Sequence, residues 1–125
     1  MESSAGSTRN SQSEQHRSYD EGTQMNQSEH ERLSILLEEM GECIQIIGKV
    51  LRHGWDSTHP SGGPNNRELL ESELGDLKFA LDFMIERGDL NQERIAEYAE
   101  DKAFKIQRYL HHNRVPRRLA PKEAT

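Results

Sequence analysis

Five acidic side chains form two short clusters that could do chemistry together. The first cluster is Glu38, Glu39 and Glu42, and the second, about thirty residues later, is Glu73 and Asp76. Both clusters lie in stretches whose apolar residues recur at helical spacing. A carboxylate at a helix interface costs free energy unless a positive charge meets it. Four of the five fall on the apolar side of their helices, which predicts a divalent cation there: Glu39, Glu42, Glu73 and Asp76.

Helical spacing places the members of each pair on one face. Residues three apart have Cβ atoms about 5–6 Å apart, and helices packed antiparallel at about 8–10 Å would bring the two pairs face to face. A site of carboxylate oxygens, without cysteine or clustered histidine, favours Mg²⁺, with Mn²⁺ as a possible substitute. Such a cation usually meets phosphate, so Glu38, just outside the four, could accept a proton from an attacking water.

The first helix is predicted over residues 29–52. Ser28 with Glu31 forms a capping-box pattern at its start, and Gly54 follows its last turn. Its apolar residues form two adjoining stripes, so that more than half of the circumference is apolar, which is wider than usual for a surface helix. One stripe is Leu33, Leu37, Met40, Ile44, Ile47 and Leu51, and the other is Ile35, Cys43, Ile46 and Val50.

Two further helices complete the predicted domain. The second is expected over residues 66–87 with Asn65 as its N-cap, and the third over residues 92–112 with Asn91 as its N-cap. Gly88 is expected to close the second helix. Two lysines at the apolar stripe of the third helix could meet phosphates as point charges: Lys102 and Lys105.

Composition and charge limit the class of protein. At 125 residues, 32% of them hydrophobic, the chain makes at most one domain. Residues 1–28 are polar enough to predict a disordered tail, and residues 113–125 predict a basic, flexible C-terminal tail. The remaining helical domain, residues 29–112, is small enough that we expect oligomerisation. The sequence therefore predicts an all-α fold, a small antiparallel bundle of three main helices completed by other copies of the chain.

The same numbers argue against several partners. A formal net charge of −6 argues against nonspecific nucleic-acid binding by the helical domain, and we expect no specific nucleic-acid binding. No apolar run approaches ~18 residues, so we expect no membrane segment. The single cysteine, Cys43, fits a reducing compartment. A cytoplasmic protein is expected.

The two acidic blocks resemble those of a known family. Glu-Glu-x-x-Glu, a spacer of about thirty residues and Glu-x-x-Asp, all on helices, resemble the MazG-like nucleoside triphosphate pyrophosphohydrolases of the all-α NTP pyrophosphatase superfamily, over about residues 30–112. The resemblance implies Mg²⁺-dependent cleavage of an NTP or dNTP to the monophosphate and pyrophosphate, in a homodimer or homotetramer. It implies that Glu38 helps to activate water and that the metal ligands are Glu39, Glu42, Glu73 and Asp76.

The loop between the first two helices departs from the family. It is longer and richer in Gly and Pro than in the shortest members, so base recognition does not transfer to it. Trp55 in this loop is either a lid or base-stacking element or a side chain that anchors the loop on the helices. The candidates for contacts with the base are His53, Trp55 and Asn66.

Two interpretations without catalysis stay open. The inward carboxylates could form interhelical salt bridges with basic residues of a partner subunit. The whole chain could be a non-catalytic helical dimerisation or adaptor module, or a module that binds nucleotide without cleaving it. The presence of all five carboxylates favours an enzyme, because a decayed site usually loses one of them.

Overall fold

The computed structural model describes residues 24–120, which form three α-helices. Helix α1 spans Gln27–His53, α2 spans Asn66–Glu86 and α3 spans Gln92–Ile106, and a single 3-10 turn, Gln107–Tyr109, follows α3. No strand occurs between residues 24 and 120, so the predicted all-α class is confirmed. None of the helices in this range combines the length and the apolar character that crossing a membrane requires.

Helix α1 begins two residues earlier than predicted. Its N-cap is Asn26, whose side chain accepts a hydrogen bond from the backbone N–H of Glu29 at 2.8 Å. The Glu29 carboxylate accepts one from the Asn26 backbone N–H at 3.3 Å, which completes a capping box. The predicted box of Ser28 with Glu31 is therefore wrong, because asparagine caps a helix as well as serine and serves here two residues earlier. The predicted disordered tail also extends too far, since residues 27 and 28 are helical; its residues 1–23 lie outside the described range.

The caps of the other two helices agree with the prediction. Asn65 and Asn91 accept hydrogen bonds from the backbone N–H groups three residues on, both at 2.9 Å. Gly88, with φ of 84°, follows the end of α2, in the left-handed conformation that glycine adopts most readily.

Helix α3 ends six residues before the predicted residue 112. The chain tightens into the 3-10 turn and becomes extended at Leu110. The following segment returns along α3, so that Leu110 and Val115 line the same cavity as Ile106. Of the predicted C-terminal tail, residues 113–120 belong to this returning segment and residues 121–125 lie outside the described range.

Helices α1 and α2 form an antiparallel hairpin. Its core is Leu36, Ala80 and Met84, with partly buried apolar side chains around them. At the end of the hairpin near residue 32, Arg32 donates two hydrogen bonds to the carboxylate of Asp89, at 2.6 and 2.9 Å. This bidentate pair fixes the start of α1 against the turn after α2.

The hairpin leaves much apolar surface uncovered. One of the two predicted stripes of α1, which contains Cys43 and Ile46, faces α2, whereas the other is exposed along its whole length. Helix α3 makes no extensive contact with α1 or α2. Among residues 24–120 no large side chain is completely buried. A single chain thus has a smaller core than its apolar content would allow.

Backbone hydrogen bonds close the loop between α1 and α2. The Asn66 N–H donates to Ser57 O and the Arg67 N–H donates to Trp55 O, both at 3.0 Å. The side-chain amide of Asn66 donates to Gly54 O at 3.0 Å. These bonds tie the first half of the loop to the start of α2.

Candidate metal centre

Three of the predicted carboxylates meet at the interface of α1 and α2. Glu39 and Glu42 project from one helix and Glu73 from the other, and one oxygen of each lies within 4.8 Å of the others. All three residues are partly buried. They meet because helical spacing keeps Glu39 and Glu42 on one face of α1 and antiparallel packing sets Glu73 against that face.

The group has no positive charge to balance it within the described part of the chain. With the carboxylates ionised, Oε2 of Glu39 and Oε2 of Glu73 are buried without a hydrogen-bond partner. The ion pairs formed between residues 24 and 120 all involve other acids: Arg32–Asp89, Arg67–Asp56 and Lys78–Asp82. A buried ionised oxygen without a partner costs free energy, so the group favours protonation or a bound cation.

The pKa values of two members of the group are raised, as expected for negative charges without a positive partner. Burial raises the pKa of Glu39 above its ordinary value, and the negative charges of Asp76, Glu42 and Glu38 raise it further. A hydrogen bond between the Glu73 and Glu42 carboxyl groups, which requires a proton, raises the pKa of Glu73, as do burial and the neighbouring charges. Every charged group that contributes to these two shifts is a carboxylate.

Two predicted members lie at the edge of the group. Asp76 is exposed and its oxygens do not join the three that meet. Its charge nevertheless has the largest effect of any charge on the pKa of Glu39. Glu38 is exposed beside Glu39 and also contributes to that shift. The structure therefore gives a group of three carboxylates with two more acids near enough to affect it.

Cys43 lies beneath the carboxylates. It is buried, and burial, followed by the charges of Glu73 and Glu39, raises the pKa of its thiol. The thiol is therefore held in its protonated form. Cys43 is thus a small buried residue of the core.

A single chain does not bring the predicted lysines to the carboxylates. Lys102 and Lys105 are exposed on α3, which lacks extensive contact with the hairpin. Lys102 instead lines the cavity of about 690 Å³ between α3 and the returning C-terminal segment. Phosphate contacts by these lysines would therefore require another copy of the chain.

The three candidates for base recognition have different surroundings. Asn66 is buried and its amide holds the loop through Gly54. Trp55 is 45% exposed, and the Arg67 guanidinium lies over its ring at 4.7 Å from the centroid. This cation–π contact and the neighbouring backbone bonds support the anchoring role of Trp55. His53 lines a cavity that Asn66 also lines.

That cavity, of about 430 Å³, lies at the loop end of the hairpin. Besides His53, its charged and polar lining includes Lys49, Arg52, His59 and Asn66. Lys49 follows Glu42 by two helical turns, which is about 10 Å along the axis. Sequence reasoning missed Lys49 and Arg52 because they lie at the polar edge of α1, where a basic residue usually faces solvent. Their spacing from the acidic block on the same helix is the sequence feature that could have identified Lys49 and Arg52 as candidates.

Comparisons of the chain with protein-family models, curated proteins and solved structures give no match. The resemblance of the acidic blocks to the MazG-like family therefore depends on the motif itself. The structure adds the meeting of Glu39, Glu42 and Glu73 at one interface.

Proposed function

We propose that the chain is a Mg²⁺-dependent, MazG-like nucleoside triphosphate pyrophosphohydrolase of the cytoplasm. It would convert an NTP or dNTP to the monophosphate and pyrophosphate, with Mn²⁺ as a possible substitute for Mg²⁺. The observation that supports this most is the group of Glu39, Glu42 and Glu73, whose oxygens lie within 4.8 Å of one another. Two buried oxygens of the group have no hydrogen-bond partner.

The donor set fits a hard divalent cation. The group offers only carboxylate oxygens, which suit Mg²⁺ and Mn²⁺ better than zinc or copper. A cation held by Glu39, Glu42 and Glu73 would relieve the repulsion that raises the pKa of Glu39 and Glu73. Asp76, which already affects Glu39, is the candidate for a fourth ligand.

The edge of the group suits activation of water. When bound, Mg²⁺ would neutralise charge on the triphosphate. Water would attack the α-phosphorus, the bond to the bridging oxygen would break, and pyrophosphate would leave with the electron pair. Glu38, exposed beside Glu39, would take the proton from the water. The proton thus goes to a carboxylate outside the ligand set.

The proposed enzyme is an assembly of several copies of the chain. Lys102 and Lys105 lie on a helix without extensive contact to its own hairpin, so phosphate contacts from these lysines require a homodimer or homotetramer. The uncovered apolar surface of α1 supports such an assembly. The same surface supports the second candidate, a non-catalytic dimerisation or adaptor module, which predicts neither cation binding nor turnover.

A matched pair of variants tests the proposal. Glu73→Gln removes one charge from the group, and Glu71→Gln removes one from the exposed side of the same helix. We expect Glu73→Gln to lower Mg²⁺-dependent pyrophosphate release by at least about 100-fold, with Glu71→Gln near wild type. Wild-type turnover by Glu73→Gln refutes the site. A wild-type protein that hydrolyses no nucleotide favours the adaptor.

A further inference from the structure

The exposed stripe of α1 has the spacing of a coiled-coil seam. Its six apolar residues follow one another at intervals of four, three, four, three and four, which is a heptad repeat of a and d positions. They are between 41% and 82% exposed, and they extend over about 27 Å of the helix. We call this surface the α1 seam: Leu33, Leu37, Met40, Ile44, Ile47 and Leu51.

Small residues follow one side of the α1 seam. Ser34, Gly41 and Gly48 recur every seven residues at the flanking e position. Glycine weakens a helix interior relative to alanine, yet a Cβ at Gly41 would meet nothing within 4 Å in the chain itself. The single chain therefore gives no packing reason for glycine there. A second helix lying close to this flank supplies one.

We propose that the α1 seam binds the α1 seam of a second copy in an antiparallel, two-fold symmetric pair. In an antiparallel coiled coil the a residues of one helix meet the d residues of the other. One register does this along the whole seam: Leu37 meets Ile47 of the second copy, Ile44 meets Met40, and Leu51 meets Leu33. This self-complementarity is what a two-fold interface requires and what an unrelated partner would not need.

The same register accommodates the small residues. In antiparallel pairs the e positions of the two helices face each other. The two copies of Gly41 then meet at the symmetry axis, and Ser34 lies opposite Gly48 of the second copy. At Gly41 nothing in the chain fills this flank, whereas at Gly48 the guanidinium of Arg52 lies 3.3 Å from the place of a Cβ.

Charge supports the antiparallel direction. Beyond the e positions the exposed flank carries Glu31, Glu38, Gln45 and Arg52. In the proposed register Glu31 lies opposite Arg52 of the second copy, and Glu38 lies opposite Gln45. In a parallel pair these flanks of the two copies would lie on opposite sides of the interface, so Glu31 could not meet Arg52 of the second copy.

Disulfide cross-linking tests the direction and the register. In a Cys43→Ala background, Leu33→Cys and Leu51→Cys are prepared separately and then mixed under mild oxidation. We expect a cross-linked species in the mixture and little in either variant alone. Glu71→Cys, on the exposed side of α2, is the control that should not cross-link with either variant. Cross-linking of each variant alone indicates parallel helices, and no cross-linking in the mixture refutes the seam.

A second test uses two glycines that differ only in their place. Gly41 and Gly75 both lie inside helices, are exposed, and have open space where a Cβ would be. In sedimentation experiments on the full chain, we expect Gly41→Leu to raise the dimer dissociation constant at least 100-fold and Gly75→Leu to change it less than threefold. Equal association of both variants, or a monomeric wild type at micromolar concentration, overturns the proposal. Neither test depends on nucleotide hydrolysis, so a failure of the enzyme proposal leaves this result separate.

Discussion

We expect Glu73→Gln to be more stable than wild type without a divalent cation and less stable than wild type with one. Without cation, the ionised Glu73 is held against Glu42 and Glu39, and the pKa of Glu73 is raised. Glutamine removes this repulsion while keeping the shape of the side chain. The cation-free variant should therefore unfold at a higher temperature than wild type near neutral pH.

The pH dependence follows from the direction of the shift. Because the folded chain binds the Glu73 proton more tightly than the unfolded chain, this contribution to stability is present below the ordinary pKa of 4.5. It is lost as the pH rises through the raised value. Wild type without cation should thus lose stability over that range, and Glu73→Gln should lose less. Glu39 behaves in the same direction.

Adding cation should give the opposite order. At a free Mg²⁺ concentration one hundred times its dissociation constant, binding stabilises the folded wild type by about 2.7 kcal/mol. For a structured region of this size, that corresponds to a rise of roughly 10–20 °C in the melting temperature. Glu73→Gln lacks one ligand and should gain little. The assay is thermal unfolding with EDTA and with increasing Mg²⁺ or Mn²⁺.

Glu71→Gln is the control, because it removes the same charge from the exposed face of α2. Its response to cation should match that of wild type. The reasoning is refuted if Glu73→Gln melts below wild type in EDTA, or if both proteins gain equally from Mg²⁺.

Three further predictions concern the scaffold. Asp89→Asn should lower the free energy of unfolding near neutral pH and make it less dependent on pH in acid. Arg32 holds the pKa of Asp89 below its ordinary value of 3.8, so the wild-type contribution is lost only as the pH falls through the lowered value. Acid titration of unfolding measures this. Asn65→Ala should cost about 1 kcal/mol in urea unfolding through the lost cap of α2, and an unchanged midpoint would contradict the cap. Deletion of residues 1–23 should preserve pyrophosphate release. Deletion of residues 1–28 removes the capped start of α1 and should lower the melting temperature. Equal melting temperatures of the two deletion variants would argue against that cap.

The sequence predicts the hairpin well because its signals are local. Asn65 and Asn91 cap helices through bonds to residues three positions on, so that the starts of α2 and α3 can be read from a few neighbouring letters. The start of α1 is ambiguous in the same terms. Asn26 and Ser28 both precede a glutamate by three residues, and only the structure shows that the earlier pair forms the box. The end of α3 is not local, because it depends on the segment that returns along the helix.

The candidate site also has features that follow from local sequence and features that do not. Helical spacing sets Glu39 and Glu42 on one face, so their pairing follows from sequence. The contribution of Asp76 depends on its side chain, which is exposed instead of joining Glu73 in the group. The place of Lys102 depends on tertiary packing, and α3 does not bring it to the hairpin. Spacing along one helix and the antiparallel pairing of α1 with α2 are therefore predictable here, whereas the placement of α3 is not.

Hydrolysis in ¹⁸O-labelled water tests the central claim most directly. The wild-type chain is incubated with Mg²⁺ and each common NTP and dNTP, and the products are identified by mass. We predict pyrophosphate without label and a nucleoside monophosphate that carries one ¹⁸O, for at least one nucleotide. Label in pyrophosphate or in free phosphate, or intact nucleotide throughout the panel, would contradict the proposed attack of water at the α-phosphorus.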